Sequence, residues 1–315
     1  MDICLSHASA LEFMRSPNAE ICTRDSKARS IADSESLTFG SASVASRQFV
    51  DDLSRWGVVG RPIHLLTSNA RFRSKARHVQ SHIWQGPYPK GSFVRIESGL
   101  YTCSPELAFI QLAQCMETVA LVEVGFELCG RYLTSNEESQ MRQREPLTCV
   151  ESLRSYAMSN SSIRGAHAAL HALQHVADNS ASPMETKLAM VLSLPRRKGG
   201  YGLPLPLMNH RACARGRTFY LDICWPKARI GGEYDSRQFH SGADRNIHDS
   251  QRRNALADEG FTIVTITAPE LRNLDAFDGI AVQFAKALGV RIRTSAPDYR
   301  LKQHQLWNEL FNRSR

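Results

Sequence analysis

The stretch DICWPKARIGGEYDSRQFH, residues 222–240, sets three carboxylates and a histidine into a region that otherwise reads as short apolar strands. Side chains alternate faces along a strand, so Tyr220, Asp222 and Cys224 are expected on one side and Phe219, Leu221 and Ile223 on the other. Glu233 and Asp235 are two apart and point the same way, and the short W-P-K-A turn sets their strand antiparallel to the first. Asp222, Glu233 and Asp235 can therefore converge at one end of a hairpin, as hard oxygen donors suited to Mg2+ or Mn2+. The competing reading of these residues, taken alone, is a polar strand end facing solvent.

Upstream, SPMETKLAMVLSL (182–194) reads as a helix with Ser182 as cap and Pro183 in the first turn. The loop RRKGGYGLPLP (196–206) follows; it lacks a G-K-S or G-K-T ending and so makes a poor nucleotide loop. Strands are expected near Leu207–Cys213, Thr218–Cys224 and Arg229–Asp235, then a helix from about Asn246 to Glu259, the strand FTIVTIT (261–267) and a last helix around Phe277–Leu288. The order is α-β-β-β-α-β.

The amino-terminal half reads as a small mixed α/β domain. A helix is expected at Ser9–Met14, opened by S-A-L-E as a capping box of Ser9 and Glu12. Strands follow at Ile63–Leu66 and within HIWQGPYPKGSFVRIESGLYTCS (82–104). SPELAFIQLAQCMETVALVEVGFELCGRYL (104–133) carries an N-cap serine, a proline in the first turn and apolar periodicity from Leu107 to Leu128, the core of this half. Residues 18–48 are rich in serine, alanine and charge and give no readable pattern.

The polar run 134–146 marks a connection, giving an amino-terminal recognition or regulatory domain at 1–140, a second domain with a leading helix at 151–290 and a basic tail at 291–315. In the leading helix, His167, His171 and His175 recur every four residues beside an alanine- and leucine-rich face. No cysteine or carboxylate is spaced to complete a zinc set with them, so they read as a solvated face.

A chain of 315 residues with 42% hydrophobic and 22% charged content belongs to the folding, non-disordered class. No apolar run reaches the roughly 18–20 residues of a spanning helix, and MDICLSHASALEFMR lacks a basic start and apolar core, so cytoplasmic residence is expected. The eight cysteines are scattered singly and read as buried, reduced thiols. A formal charge of +8 favours a polyanionic partner, nucleic acid ahead of a membrane surface, because lysine and arginine release counterions condensed on phosphates.

The carboxyl-terminal half resembles the PD-(D/E)XK nuclease superfamily, and within it domains similar to very-short-patch-repair endonuclease. Asp222 matches the aspartate that ends the second core strand. Glu233, Asp235, Ser236, Phe239 and His240 match an E-x-D-(G or S)-x-x-aromatic-His run. Asp249, Arg252, Leu256 and Gly260 match D-x-x-R-x-x-x-L-x-x-x-G, and Glu185 corresponds to the acidic residue on the first core helix. The resemblance covers about residues 180–270 and implies a restriction-endonuclease-like αβββαβ core, a Mg2+ (or Mn2+) cofactor and endonuclease cleavage of DNA, double-stranded by expectation, in host defence or repair.

Under that resemblance Glu185, Asp222 and Glu233 are the metal ligands, and Asp222, Glu233, Asp235 and His240 the catalytic set. Asp235 stands where the superfamily usually has a lysine, which leaves the metal and His240 to activate water and steady the developing charge. Alternatively His240 is a hydrogen-bonded structural histidine, and Glu185 merely favours the first helical turn. Arg196, Arg197 and Lys198 form a basic run suited to a DNA backbone or to solvent. Arg252 reads either as a phosphate contact or as the partner of Asp249 in a helical ion pair.

The first half more loosely resembles AbiEi-like type IV antitoxin proteins, carried by LSHASALEFMR and GLYTCSPELAFIQLA. This implies an alternative: a catalytically inactive, antitoxin-like DNA-binding regulator with a cognate toxin as partner.

Overall fold

The computed structural model describes residues 1–19, 37–41, 52–84, 89–133, 142–235, 243–292 and 297–312, with the side chains of 243–249 outside that description. The described chain divides into two compact units, Met1–Gln174 and His175–Arg315, both of mixed α/β character.

In the first unit, β1 (Ile3–Leu5) and α1 (His7–Met14) are followed by β2 (Ile63–Thr67), β3 (Val79–Ile83), β4 (Phe93–Glu97) and β5 (Leu100–Cys103). They form a five-stranded sheet in the order β3-β2-β1-β5-β4, with β2 parallel to β3, β1 parallel to β5 and the other pairs antiparallel. Helices α2 (Pro105–Leu112) and α3 (Thr118–Leu128) come next, then the short strands β6 (Tyr132–Leu133) and β7 (Arg142–Gln143).

Ser104 caps α2 as its sequence predicts, accepting from the Leu107 amide with Pro105 in the first turn. The α1 prediction changes in detail. The helix starts at His7 with Ser6 as its N-cap residue, and the supposed box residues act at long range: Ser9 Oγ accepts from the His64 amide, and Glu12 Oε2 from the Val59 and Gly60 amides. Buried Glu127 of α3 is matched by Arg15 at 2.8 Å, and the buried Arg144 donates to the Met14 and Glu127 carbonyls.

Helices α4 (Val150–Ser159) and α5 (Ala166–Ala172) belong to this first unit, packing on α2 and α3, rather than leading into the second domain. The expected connection at 134–146 lies partly outside the described residues. The boundary falls after Gln174 because the apolar faces of α4 and α5, with Leu153, Ala157, Ala166 and Ala169, are buried there. His167 and His171 are exposed on α5.

The second unit runs α6 (Pro183–Ser193), β8 (Leu207–Ala214), β9 (Arg217–Trp225), β10 (Ile230–Asp235), α7 (Ala243–Asp258) and β11 (Thr262–Thr267). The α-β-β-β-α-β order expected from the sequence is the order of these elements. The sheet is β11-β10-β9-β8, with β10 parallel to β11 and the rest antiparallel. Helix α6 buries Leu188 to Leu192 completely and Ser182 caps it through the Glu185 amide. Helix α7 lies across β8 and β11 and closes a cluster of Ala212, Ala214, Leu221, Cys224, Ala255 and Leu256.

Gly232 is required by close approach: a Cβ there would come within 2.9 Å of the Ile223 and Phe284 side chains. After β11 come α8 (Ala268–Arg272), α9 (Leu274–Ala287) and α10 (Tyr299–Phe311).

Helix α10 corrects the expected basic tail. Tyr299, Gln303, Leu306, Trp307 and Leu310 are buried, Trp307 meets Phe277 edge-on at 5.6 Å, and its indole donates to the Leu271 carbonyl. Arg300 pairs with Asp278 at 2.9 Å and with Asp275, and Lys302 pairs with Asp298, so these cations serve the fold's surface. Arg293 and Arg313 lie outside the described residues. The thiols also differ from expectation: Cys4, Cys103, Cys129 and Cys224 are buried, but Cys115, Cys149 and Cys213 are exposed. None of the described helices is long and apolar enough to cross a membrane.

Candidate functional site

The site begins with a break in strand alternation. Leu221 and Cys224, three residues apart, belong to the same apolar cluster under α7, whereas Ile223 meets Gly232 and Phe284. A regular strand cannot place residues 221 and 224 on one face, so Tyr220, Asp222 and Cys224 do not share a side as the sequence pattern implies. The irregularity falls at Asp222. On the neighbouring strand the register places Met208 opposite Ile223 and His210 opposite Leu221, so Asn209 stands opposite Asp222, and Asn209 has φ +46°. A non-glycine residue in the left-handed region is uncommon, and asparagine tolerates it best.

This kink and the first turn of α6 bring two acids together. Glu185 is buried, and its Oε2 accepts from the Ala181 amide at 2.9 Å and from Asn209 Nδ2 at 2.9 Å. Burial pushes the Glu185 carboxyl up to about 7, and the charge of Asp222 adds to the rise against the hydrogen bonds of Ala181, Ser182 and Asn209. Burial also raises the pKa of Asp222; the Tyr234 amide, which donates to Asp222 Oδ2 at 2.7 Å, and the charge of Arg252 act the other way. Two neighbouring carboxylates with raised proton affinity favour an added positive charge, be it a proton or a cation.

Glu233, one strand over on β10, is engaged differently. Its Oε1 lies 2.6 Å from Arg252 Nη2, and the same Nη2 donates to the Tyr220 carbonyl at 2.5 Å. Arg252 thus reaches from α7 to the strand carrying Asp222 and to Glu233. The arginine, about a third exposed, lies in an ion pair with Glu233, a partner the sequence reading did not name. The side chain of Asp249, its alternative partner, lies outside the described residues.

Asp235 ends β10 opposite Thr267 of β11. Ser236, Phe239 and His240 lie outside the described residues. Among the described residues, no group of three or more His, Cys, Asp or Glu side chains is arranged to hold a metal ion. The Glu185 and Asp222 pair fits a hard cation by its chemistry, while Glu233 is turned to Arg252.

Arg196, Arg197 and Lys198 form a single 3-10 turn after α6, with both arginines exposed. Gly199 ends that turn at φ +90°, and a Cβ there would fall 2.2 Å from the Lys302 carbonyl oxygen of α10. The basic turn is therefore fixed in place by backbone contact. Leu256 is buried under the sheet and Gly260 follows α7 at φ +77°, the structural roles their positions imply. Sequence reasoning missed Asn209, whose role depends on the kink and on a partner 24 positions away.

Two proteins of Mycobacterium tuberculosis strains, both carrying the description uncharacterized protein, are 30% identical to this chain over 110 residues. The match covers 35% of this chain and 38% of each relative, so it spans well under half of either. No family model matches the sequence. No solved structure matches it either.

Proposed function

We propose that the second unit is a metal-dependent nuclease domain of the restriction-endonuclease-like, PD-(D/E)XK kind, acting on DNA phosphodiesters, with the first unit serving recognition or regulation. The observation that carries this reading is the juxtaposition of the buried Glu185 and the half-buried Asp222, both with raised proton affinity, at a kink in the second strand of an α-β-β-β-α-β arrangement. Buried carboxylates that repel one another are costly unless a cation joins them.

Asp222 and Glu185 would hold Mg2+ or Mn2+, with Glu233 as the third carboxylate of the set. When bound, such an ion lowers the pKa of a coordinated water for attack on phosphorus. Asn209 fixes the Glu185 carboxylate, and the Tyr234 amide fixes that of Asp222. The exposed Arg196 and Arg197 supply positive charge for a phosphate backbone.

A second reading is favoured by one specific observation, the Glu233–Arg252 ion pair, together with Asp235 at the position of the usual lysine. Under it the domain is a non-catalytic, antitoxin-like DNA-binding regulator that answers to a toxin partner. The two readings separate in an assay on plasmid, single-stranded DNA and RNA under Mg2+ and Mn2+ titration. Metal-dependent cleavage that disappears in Asp222→Ala and Glu233→Ala supports the enzyme. Salt-sensitive DNA binding without cleavage in any metal supports the regulator.

A further inference from the structure

Three histidines of the first unit, far apart in sequence, meet at one end of the five-stranded sheet. His7 stands at the junction of β1 and α1, His64 on β2 and His82 on β3. His64 Nδ1 and His82 Nε2 share a hydrogen bond at 2.9 Å, with ring planes inclined by only 16° and centroids 5.1 Å apart. His7 stacks on His82 with centroids 3.6 Å apart and planes 18° apart.

The surroundings hold these rings in place. His7 Nδ1 is 3.2 Å from Ser6 Oγ, its amide donates to Gln111 Oε1 at 3.0 Å, and its backbone sits at φ +47°. The His64 amide donates to Ser9 Oγ at 2.9 Å. A strained residue held by its neighbours, at the meeting point of three imidazoles, is what functional sites retain.

We infer that His64 and His82 form a binding site for a first-row divalent transition-metal ion of the Zn2+ or Ni2+ class, with His7 as the positioning residue that orients His82 by stacking. Imidazole nitrogens bind such ions at about 2.0–2.1 Å, so two adjacent ligands of one ion have their nitrogens roughly 3 Å apart. The His64 and His82 nitrogens already have that spacing. Imidazole selects borderline ions over Mg2+, which separates this site from the carboxylates of the second unit.

The rings also start in the state a metal needs. Burial holds His7 at about 3 and His82 at about 4, with the neighbouring histidines adding to both, and burial lowers His64 against the charge of Glu12. All three are neutral at pH 7, and a metal ion would replace the proton shared between His64 Nδ1 and His82 Nε2, which moves to the far nitrogen of its ring with no net loss of a proton. The negative charge of Glu12 acting on His64 favours a bound cation. The described residues supply no third side-chain ligand, so water completes the coordination shell and the site stays open on one side.

The test is calorimetric titration of the full-length protein with ZnCl2 at pH 7.5, beside His64→Gln, His82→Gln and, as a control on the exposed face of α5, His171→Gln. With MgCl2 present throughout to occupy the carboxylates of the second unit, the site is expected to be weakened tenfold or more by either His64→Gln or His82→Gln and unchanged by His171→Gln. Equal affinity in all four proteins, or no binding at all, overturns the assignment. Should either glutamine variant lose its fold, 15N spectra of the wild-type histidines decide: Zn2+ must shift His64 Nδ1 and His82 Nε2, and an unshifted pair refutes the site.

Discussion

Acidification should unfold the first unit earlier than its carboxylates alone would, because its three clustered histidines must be neutral to fit together. Burial holds His7 at about 3, against 6.5 in an unfolded chain, and His82 at about 4. Between pH 6.5 and those values the unfolded chain binds more protons than the folded one, so stability falls as the pH drops. It is fully present above about pH 6.5 and the loss saturates below about pH 3.

At pH 4.5, two units below the unfolded value, one fully buried ring contributes a loss of about 3 kcal/mol. His82 is half-buried, solvent screens its share, and the repulsion between the rings is counted once, so His7 and His82 together cost about 3–5 kcal/mol, and His64 shifts in the same direction. That is a large part of a typical domain's 5–15 kcal/mol. Urea denaturation at pH 7.5, 6.0 and 4.5, followed by the fluorescence of Trp56, which lies 6.4 Å from the Phe13 ring, measures it. His82→Gln should lose less stability on acidification than the wild type. Identical slopes for the two proteins between pH 7 and 5 would refute the reasoning.

Three further outcomes follow from packing and charge. Glu185→Gln should stabilise the second unit at pH 8 by about 1–3 kcal/mol, because a group pushed up to about 7 binds more protons folded than unfolded and so weakens folding as pH rises from 4.5 to 7. Urea titrations at pH 5 and 8 should show the difference only at the higher pH. Trp307→Ala should cost about 3–5 kcal/mol, as loss of a buried aromatic that ties α10 to Phe277, read from the thermal transition of the second unit. Gly199→Ala should cost more than about 1 kcal/mol, since it adds left-handed strain to a clash with the Lys302 carbonyl, and a neutral result would remove the argument that α10 fixes the basic turn.

Features resting on neighbouring residues were legible in the sequence. Ser104 with Pro105 and Ser182 with Pro183 satisfy amides three positions away, so a short window contains the whole interaction. The order of elements in the second unit was legible for the same reason. The S-A-L-E stretch has the same local chemistry as a capping box, but tertiary partners at Val59, Gly60 and His64 claim its oxygens.

Helix α10 carried a readable signal, the spacing of Tyr299, Gln303, Leu306, Trp307 and Leu310 on one face, which the density of arginine and lysine around it obscured. The site was legible in part: Asp222 and Glu185 were placed by motif, and the charge of Asp222 acts on Glu185. The kink beside them was not, because strict alternation is the default for a strand and its interruption depends on Asn209 across the ladder. The histidine cluster could not be read at all, since residues 7, 64 and 82 are joined only by strand pairing.

The most direct measurement is Mn2+ binding by electron paramagnetic resonance, in the wild type and in Asp222→Asn. The wild type should remove free Mn2+ from solution at one site, and the loss of one negative charge at Asp222 should weaken that site tenfold or more. Mn2+ that remains free in both proteins, or is bound equally by both, would contradict a metal centre at Glu185 and Asp222 and leave the DNA-binding regulator as the reading of the second unit.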